Sequence, residues 1–288
     1  MRYHKAVALF VCPVLLGGCK EGILNPKGPI AFAELQILVN SLGIMLAIVI
    51  PTIFAIVAVA FWYRASNRKA RYLPDFVYSG RLELLVWSIP AMTVMLVGSV
   101  AWVGAHDLDP RKPIPAVVEP VTVQVVSLDW KWLFIYPQLG IASVNHMVVP
   151  VGTPVNFELT SSGVMNSFFV PQLGSQIYTM SGMTTHLWLR ADHAGRYPGF
   201  SANYSGEGFS GMRFTLDAVP ADQFAKWLAM ARGGGTVLDG AAYVNLAKPS
   251  SDVQPTTYRS VVPRLFENIV GSGMYSGFEL SQSDSHFH

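Results

Sequence analysis

Cysteine is nearly missing from this 288-residue chain: there are two, Cys12 and Cys19, both close to the N-terminus. No disulfide framework can therefore brace the body of the protein. Charge is also scarce. Lys, Arg, Asp and Glu together make up 13% of the residues and leave a formal net charge of +2, against roughly a quarter charged in ordinary globular domains. There is no basic stripe and no nucleic-acid motif, so a nucleic-acid partner is excluded. Internal repeats and blocks of like charge are absent too. What fills the space is apolar: 51% of the residues are hydrophobic, and the excess sits mostly in the first hundred positions. Beyond them the chain reads like a globular domain.

Arg2, His4 and Lys5 precede the apolar run Ala6 to Leu16. That run is too short to cross a bilayer and reads as the core of a secretory signal. It ends in Leu16-Gly17-Gly18-Cys19, which resembles a bacterial lipobox. The resemblance implies a lipoprotein signal peptide over 1–18, cleavage before Cys19 and acylation of its thiol, with several chains anchoring better than one. The alternative is a plain signal peptide with an incidental cysteine. Residues 19–41 then form an outer N-terminal segment.

Two uncharged apolar runs follow, 42–63 and 84–104. Each is long enough to cross a hydrocarbon core of about 30 Å as a helix. Pro51 should kink the first, and Trp62, Tyr63, Trp87 and Trp102 lie where interfacial aromatics belong. The loop 64–83 between them carries Arg64, Arg68, Lys69, Arg71 and Arg81 against Asp75 and Glu83. The positive-inside rule makes it cytoplasmic. Both flanking segments then face outward, across a bacterial inner membrane, as a lipidated N-terminus requires.

Residues 105–120 contain Pro110, Pro113, Pro115 and Pro120, the composition of a stiff linker. The period then changes. Val121, Val123 and Val125 alternate with Thr122 and Gln124, a strand pattern with one apolar face. Further strands are expected at 130–136, 144–149, 155–160, 164–170, 184–190 and 212–216, separated by Gly and Pro. Short strands at this spacing predict an all-β sandwich or barrel over 121–219. A helix over 222–232 opens an extension, 220–288, whose Ser-, Gly- and Pro-rich tail beyond Pro249 should wrap loosely over other structure.

Three strings occur in order on this plan: Asp129-Trp130-Lys131-Trp132-Leu133-Phe134-Ile135-Tyr136-Pro137, Val164-Met165-Asn166-Ser167-Phe168-Phe169-Val170-Pro171, and the run from Gly199 to Met212. They resemble subunit II of the haem–copper quinol oxidases of the bo and ba type, over nearly the whole chain. The resemblance implies a transmembrane hairpin with an outer cupredoxin-like sandwich and a short helical C-terminal extension. In the cytochrome c oxidase branch, this domain holds a dinuclear copper centre. Read onto this sequence, its positions fall on Asn166, Ser201, Asn203, Ser205, Phe209 and Met212. Thiolates and imidazoles hold such a centre, and here hydroxyls, amides and a phenyl ring replace them. Met212 then reads as core packing. The resemblance therefore implies no metal and no cofactor in this chain, no electron transfer from cytochrome c, and ubiquinol as reductant of the complex. Haems and copper would sit in subunit I, with subunits III and IV and membrane lipid as further partners.

Glu83 matches a glutamate that the superfamily places at a proton-channel entrance, and it is the candidate for proton entry. An ordinary interfacial acid is the alternative. Trp130 and Trp132 match an aromatic strip and read as core or subunit-interface packing. His106, His146, His186, His193, His286 and His288 show no ligand spacing. The competing function is a metal-free cupredoxin-like membrane lipoprotein serving as an assembly factor or binding module.

Overall fold

The computed structural model describes residues 22–71 and 73–272. Cys19, His286 and His288 lie outside the described residues. The chain divides into an outer unit, residues up to 32 and from 110 onward, and a hairpin unit, 33–109.

The hairpin unit is made by α1 (Pro29–Trp62) and α2 (Gly80–Asp107). The helices outrun the apolar stretches that announced them. At 1.5 Å per residue, the 34 residues of α1 extend about 50 Å, well beyond a 30 Å core. The segment 19–41, expected to precede the helix, is thus helical from Pro29 onward, and α2 continues three residues into the proposed linker. Pro51 lies inside α1 without ending it. One turn of that helix is reinforced by Thr52, whose hydroxyl donates to the Ile48 carbonyl at 2.8 Å. Leu42, Phe54, Leu84, Trp87 and Met92 point outward, a surface suited to lipid or to other helices and not to water.

In the outer unit, residues before α1 dock by backbone bonds. Lys27 N–H donates to Gln172 O at 2.7 Å, and Asp192 N–H donates to Lys27 O at 2.8 Å. Gly28 is pressed against the Arg190 carbonyl, where any Cβ would collide.

Two sheets build the sandwich. The larger contains β1 (Val121–Leu128), β2 (Lys131–Tyr136), β3 (Ile141–Val144), β5 (Val155–Ser161), β8 (Thr185–Leu189), β11 (Thr236–Leu238) and β12 (Thr256–Val261), in the order β11-β12-β3-β2-β1-β5-β8. The smaller contains β4 (His146–Pro150), β6 (Asn166–Phe169), β7 (Ile177–Thr179), β9 (Gly195–Ser201) and β10 (Arg213–Val219), in the order β4-β10-β9-β6-β7. β1 runs parallel to β5, and β10 runs parallel to β4. This crossed two-sheet arrangement is the cupredoxin-like sandwich. The stretch read as one strand, 144–149, is divided between the two sheets. Asn145 adopts φ 55, and this left-handed turn ends β3 and sends β4 into the other sheet.

Between the sheets lies a core of Val123, Val125, Trp132, Phe134, Phe157, Phe168 and Phe214, among others. Phe168 stacks on Phe214 at 4.9 Å and meets Trp132 edge-on at 5.5 Å. Aromatic pairs of this kind add about 0.5–1.5 kcal/mol beyond their buried area.

The alternate residues of the same strands are also buried. Val126, Leu128, Leu133, Ile135, Ala142 and Val144 form a second core on the outer face, closed by Leu238, Leu265, Phe266 and Ile269. The C-terminal extension therefore does more than wrap loosely. After α3 (Ala221–Gly233) and α4 (Gly240–Ala247), it adds β11 and β12 to the sheet, pairs β12 with β3, and covers an apolar face.

Candidate functional site

The positions singled out in the sequence gather at one end of the smaller sheet. Asn166 opens β6, Ser201 closes β9, and Met212 immediately precedes β10. The loop between β9 and β10 contains a 3-10 turn, Phe209–Gly211. Its base is fastened by Ser201 N–H to Met212 O at 3.1 Å and by Ala202 N–H to Ser167 O at 2.9 Å.

Inside this end the polar side chains satisfy one another. The Ser201 hydroxyl faces Asn166 Oδ1 at 3.0 Å and the Asn203 carbonyl at 3.2 Å. Asn166 Nδ2 donates to Val164 O at 3.2 Å, and Asn203 Nδ2 donates to Met165 O at 3.1 Å. Asn166 and Ser201 are buried, so an unmade bond at either would cost about 1–3 kcal/mol. The Ser205 hydroxyl lies 4.0 Å from Met212 Sδ, and Met212 is part of the inter-sheet core. Phe209 turns its ring edge-on to Tyr204, with centroids 5.6 Å apart. A shallow hollow of about 480 Å³ opens here, lined by Phe200, Ser201, Phe209, Met212 and Arg213 with two small neighbours.

Trp130 supports the loop from the other sheet. It sits in the β1–β2 turn with φ 63, and its Nε1 donates to Ser205 O at 3.0 Å. Its indole lies so close to Gly208 that a Cβ there would enter the ring. Trp132 is fully buried in the core. Among the described residues no cluster of His, Cys, Asp or Glu has the arrangement of a metal site.

The described histidines are dispersed. His106 Nδ1 meets the Trp102 carbonyl at 2.8 Å on α2, and His193 offers only its backbone oxygen to Tyr197. His146 pairs with Asp217 at 2.9 Å, and Arg196 reaches the same carboxylate at 3.1 Å. Burial pushes the Asp217 carboxyl up, but the bonds from Arg196 and His146 outweigh it and hold the group below its ordinary range. Glu83 stands in the first turn of α2, exposed, where the positive end of the helix dipole favours a carboxylate.

Two contributors escaped the sequence reading. Lys131, 1% exposed, directs its ammonium to Lys248 O at 2.8 Å, Ser250 Oγ at 2.6 Å and Asp129 O at 3.2 Å. Burial lowers its pKa, against the opposing charge of Asp129. Asn145 accepts from Trp132 N–H at 2.8 Å and donates to Val253 O at 2.8 Å. A lysine between two tryptophans in a strand buried on both faces was the one available signal.

A membrane hairpin carrying a cupredoxin-like domain is the build of a terminal-oxidase subunit II. Residues 136–219 match the family model described as cytochrome c oxidase subunit II, periplasmic domain, and residues 232–277 match the COX aromatic rich motif. The cytochrome bo(3) ubiquinol oxidase subunit 2 of Pseudomonas aeruginosa is 49% identical over 257 residues, spanning 89% of this chain and 78% of that protein. The ubiquinol oxidase subunit 2 of Acetobacter aceti is 44% identical over 260 residues, spanning 89% and 84%. Similarity also extends to the periplasmic domain of cytochrome oxidase subunit II of Bradyrhizobium japonicum, a solved structure, at 24% identity and a TM-score of 0.39 over 42% of this chain and 98% of that one. The chain belongs to the subunit II family of the haem–copper quinol oxidases.

Proposed function

We propose that this chain is the non-haem subunit II of a proton-translocating respiratory oxidase that takes electrons from ubiquinol and carries no dinuclear copper centre of its own. One observation carries the proposal: the donor set at the β9–β10 loop. A dinuclear copper centre requires soft thiolate bridges with imidazoles completing each metal's shell. At the corresponding places stand the Ser201 and Ser205 hydroxyls, the Asn166 and Asn203 amides, the Phe209 ring and the Met212 thioether. The hydroxyl of Ser201 and the amide of Asn166 are engaged with each other, and Met212 is core packing. These residues do not fit the metal, so an electron path from cytochrome c has no first stop.

On this reading the haems and oxygen-reducing copper reside in subunit I, and this chain caps and braces that subunit, alongside subunits III and IV. Glu83, exposed at the first turn of α2, serves as a proton-entry group from the cytoplasm, and acylated Cys19 adds a lipid anchor on the periplasmic side. The family names support the quinol assignment, since the relatives are called ubiquinol oxidase subunit 2.

The test is to purify the complex through this chain in mild detergent, then measure haem, copper and oxygen uptake. Ubiquinol-dependent uptake with one copper per haem–copper site is the expected result. Two further coppers per complex, or turnover with reduced cytochrome c, would overturn the proposal. An eluate without haem or oxidase activity would favour the assembly-factor reading.

A further inference from the structure

We infer that the cytoplasmic mouth of the hairpin holds an anionic phospholipid. The inference rests on the membrane placement of α1 and α2 and is independent of which reductant the complex uses.

The cavity that carries it has a volume of about 720 Å³, within the range of built ligand sites, and lies where the end of α1 meets the connecting loop and the start of α2. Val59, Tyr63, Leu73, Phe76 and Leu82 give it an apolar wall. Arg64 and Arg71 add two guanidinium groups, and among the described residues neither is in an ion pair with a carboxylate. The turn between them is held by its own bonds. Asn67 Nδ2 donates to Trp62 O at 2.6 Å, and Lys69 N–H donates to Asn67 Oδ1 at 3.1 Å. The arginines are therefore not consumed in shaping the loop.

Amphiphilic lining demands an amphiphilic occupant. A soluble anion would satisfy the arginines and leave the apolar wall wet. The loop also shows Phe76, Val77 and Tyr78 at 61%, 95% and 69% exposure, which water would penalise and a bilayer interface would accept. Basic pockets beside transmembrane helices on the cytoplasmic side are the established setting for anionic headgroups. The phosphate would lie on Arg64 and Arg71, with acyl carbons along Val59 and Leu82.

The experiment uses the intact complex, exchanged into equal phosphatidylglycerol and phosphatidylcholine and analysed by native mass spectrometry. Wild type should retain phosphatidylglycerol preferentially. R64Q/R71Q should lose that retention by about tenfold or more, the scale expected for two interfacial charges. R68Q/K69Q removes the same charge outside the cavity wall and should retain the lipid. A70W fills the cavity with every arginine in place and should exclude it. Equal retention of both lipids by wild type, equal loss in both charge variants, or displacement of the lipid by inorganic phosphate would each overturn the inference.

Discussion

Replacing Lys131 with methionine should loosen the C-terminal extension without unfolding the sandwich. Methionine keeps the apolar stem and deletes the ammonium. Three bonds go with it, two of them to Lys248 and Ser250 in the stretch that follows α4. Hydrogen bonds to a charged group are worth about 1.5–3 kcal/mol each. Two effects reduce the sum: the desolvation cost of the ammonium disappears with it, and the Lys248 carbonyl and Ser250 hydroxyl, which are not deeply buried, regain water. A net loss of about 2 kcal/mol is left, concentrated on local opening of residues 248–255, which multiplies the open population by about thirty. Limited proteolysis of the full-length chain with a nonspecific protease reads that population directly when reclosing is fast. The K131M chain should be cut in 248–255 about thirtyfold faster, with the sandwich intact. Cleavage at the wild-type rate would refute the reasoning. The pH dependence provides a second check. Burial places the folded pKa of Lys131 below its ordinary value of 10.5, so between the two values the unfolded chain binds more protons. Wild-type stability should rise with pH across that window, and the rise should be missing from K131M.

Phe168→Ala should cost about 3–5 kcal/mol, because the ring touches Trp132, Phe134, Phe157 and Phe214 in the centre of the core. Thermal unfolding of the detergent-solubilised chain measures it. Asp217 has a folded pKa below its ordinary value of 3.8, so its stabilising contribution is present above that value and fades as pH falls through the depressed one. D217N should therefore lose near-ultraviolet dichroism less steeply than wild type during acid titration below pH 4. Glu83→Gln should lower the quinol oxidase turnover of the assembled complex at unchanged haem content, and E83D should recover part of it; full turnover in E83Q would make Glu83 an ordinary interfacial acid.

The two apolar helices were legible because a hydrocarbon core imposes length and composition at once. Their true ends were not, since Pro29 to Ser41 carries polar residues such as Gln36 and Asn40 and helical continuation there depends on the neighbouring turns. Among the strands, β1 was visible through alternation, yet only one of its faces was expected to be apolar. The second core was hidden because its lid is assembled from scattered pieces, Leu238, Leu265, Phe266 and Ile269, in a stretch dominated by small residues and proline. The corner at Asn145 was hidden for another reason: Val144, Met147, Val148 and Val149 favour one continuous strand, although asparagine is among the residues that tolerate the left-handed φ found there. At the candidate site, the six positions came from the resemblance alone, and their donor chemistry could be read from residue types. The mutual bond between Ser201 and Asn166 could not, because they are 35 residues apart in sequence and only the β6–β9 register brings them together. Phe168 is the register partner of Ser201 there.

The placement of β12 beside β3 has a consequence for biogenesis. The strand that covers the outer edge of β3 is made of residues 256–261, later in the chain than any other strand of either sheet. Until they arrive, the nascent outer domain presents an open hydrogen-bonding edge and a greasy flank. Folding of the outer domain is thus a race between making β12 and meeting another exposed strand. A message truncated ahead of residue 256 would yield a product prone to aggregate even though every inter-sheet core residue had already been made.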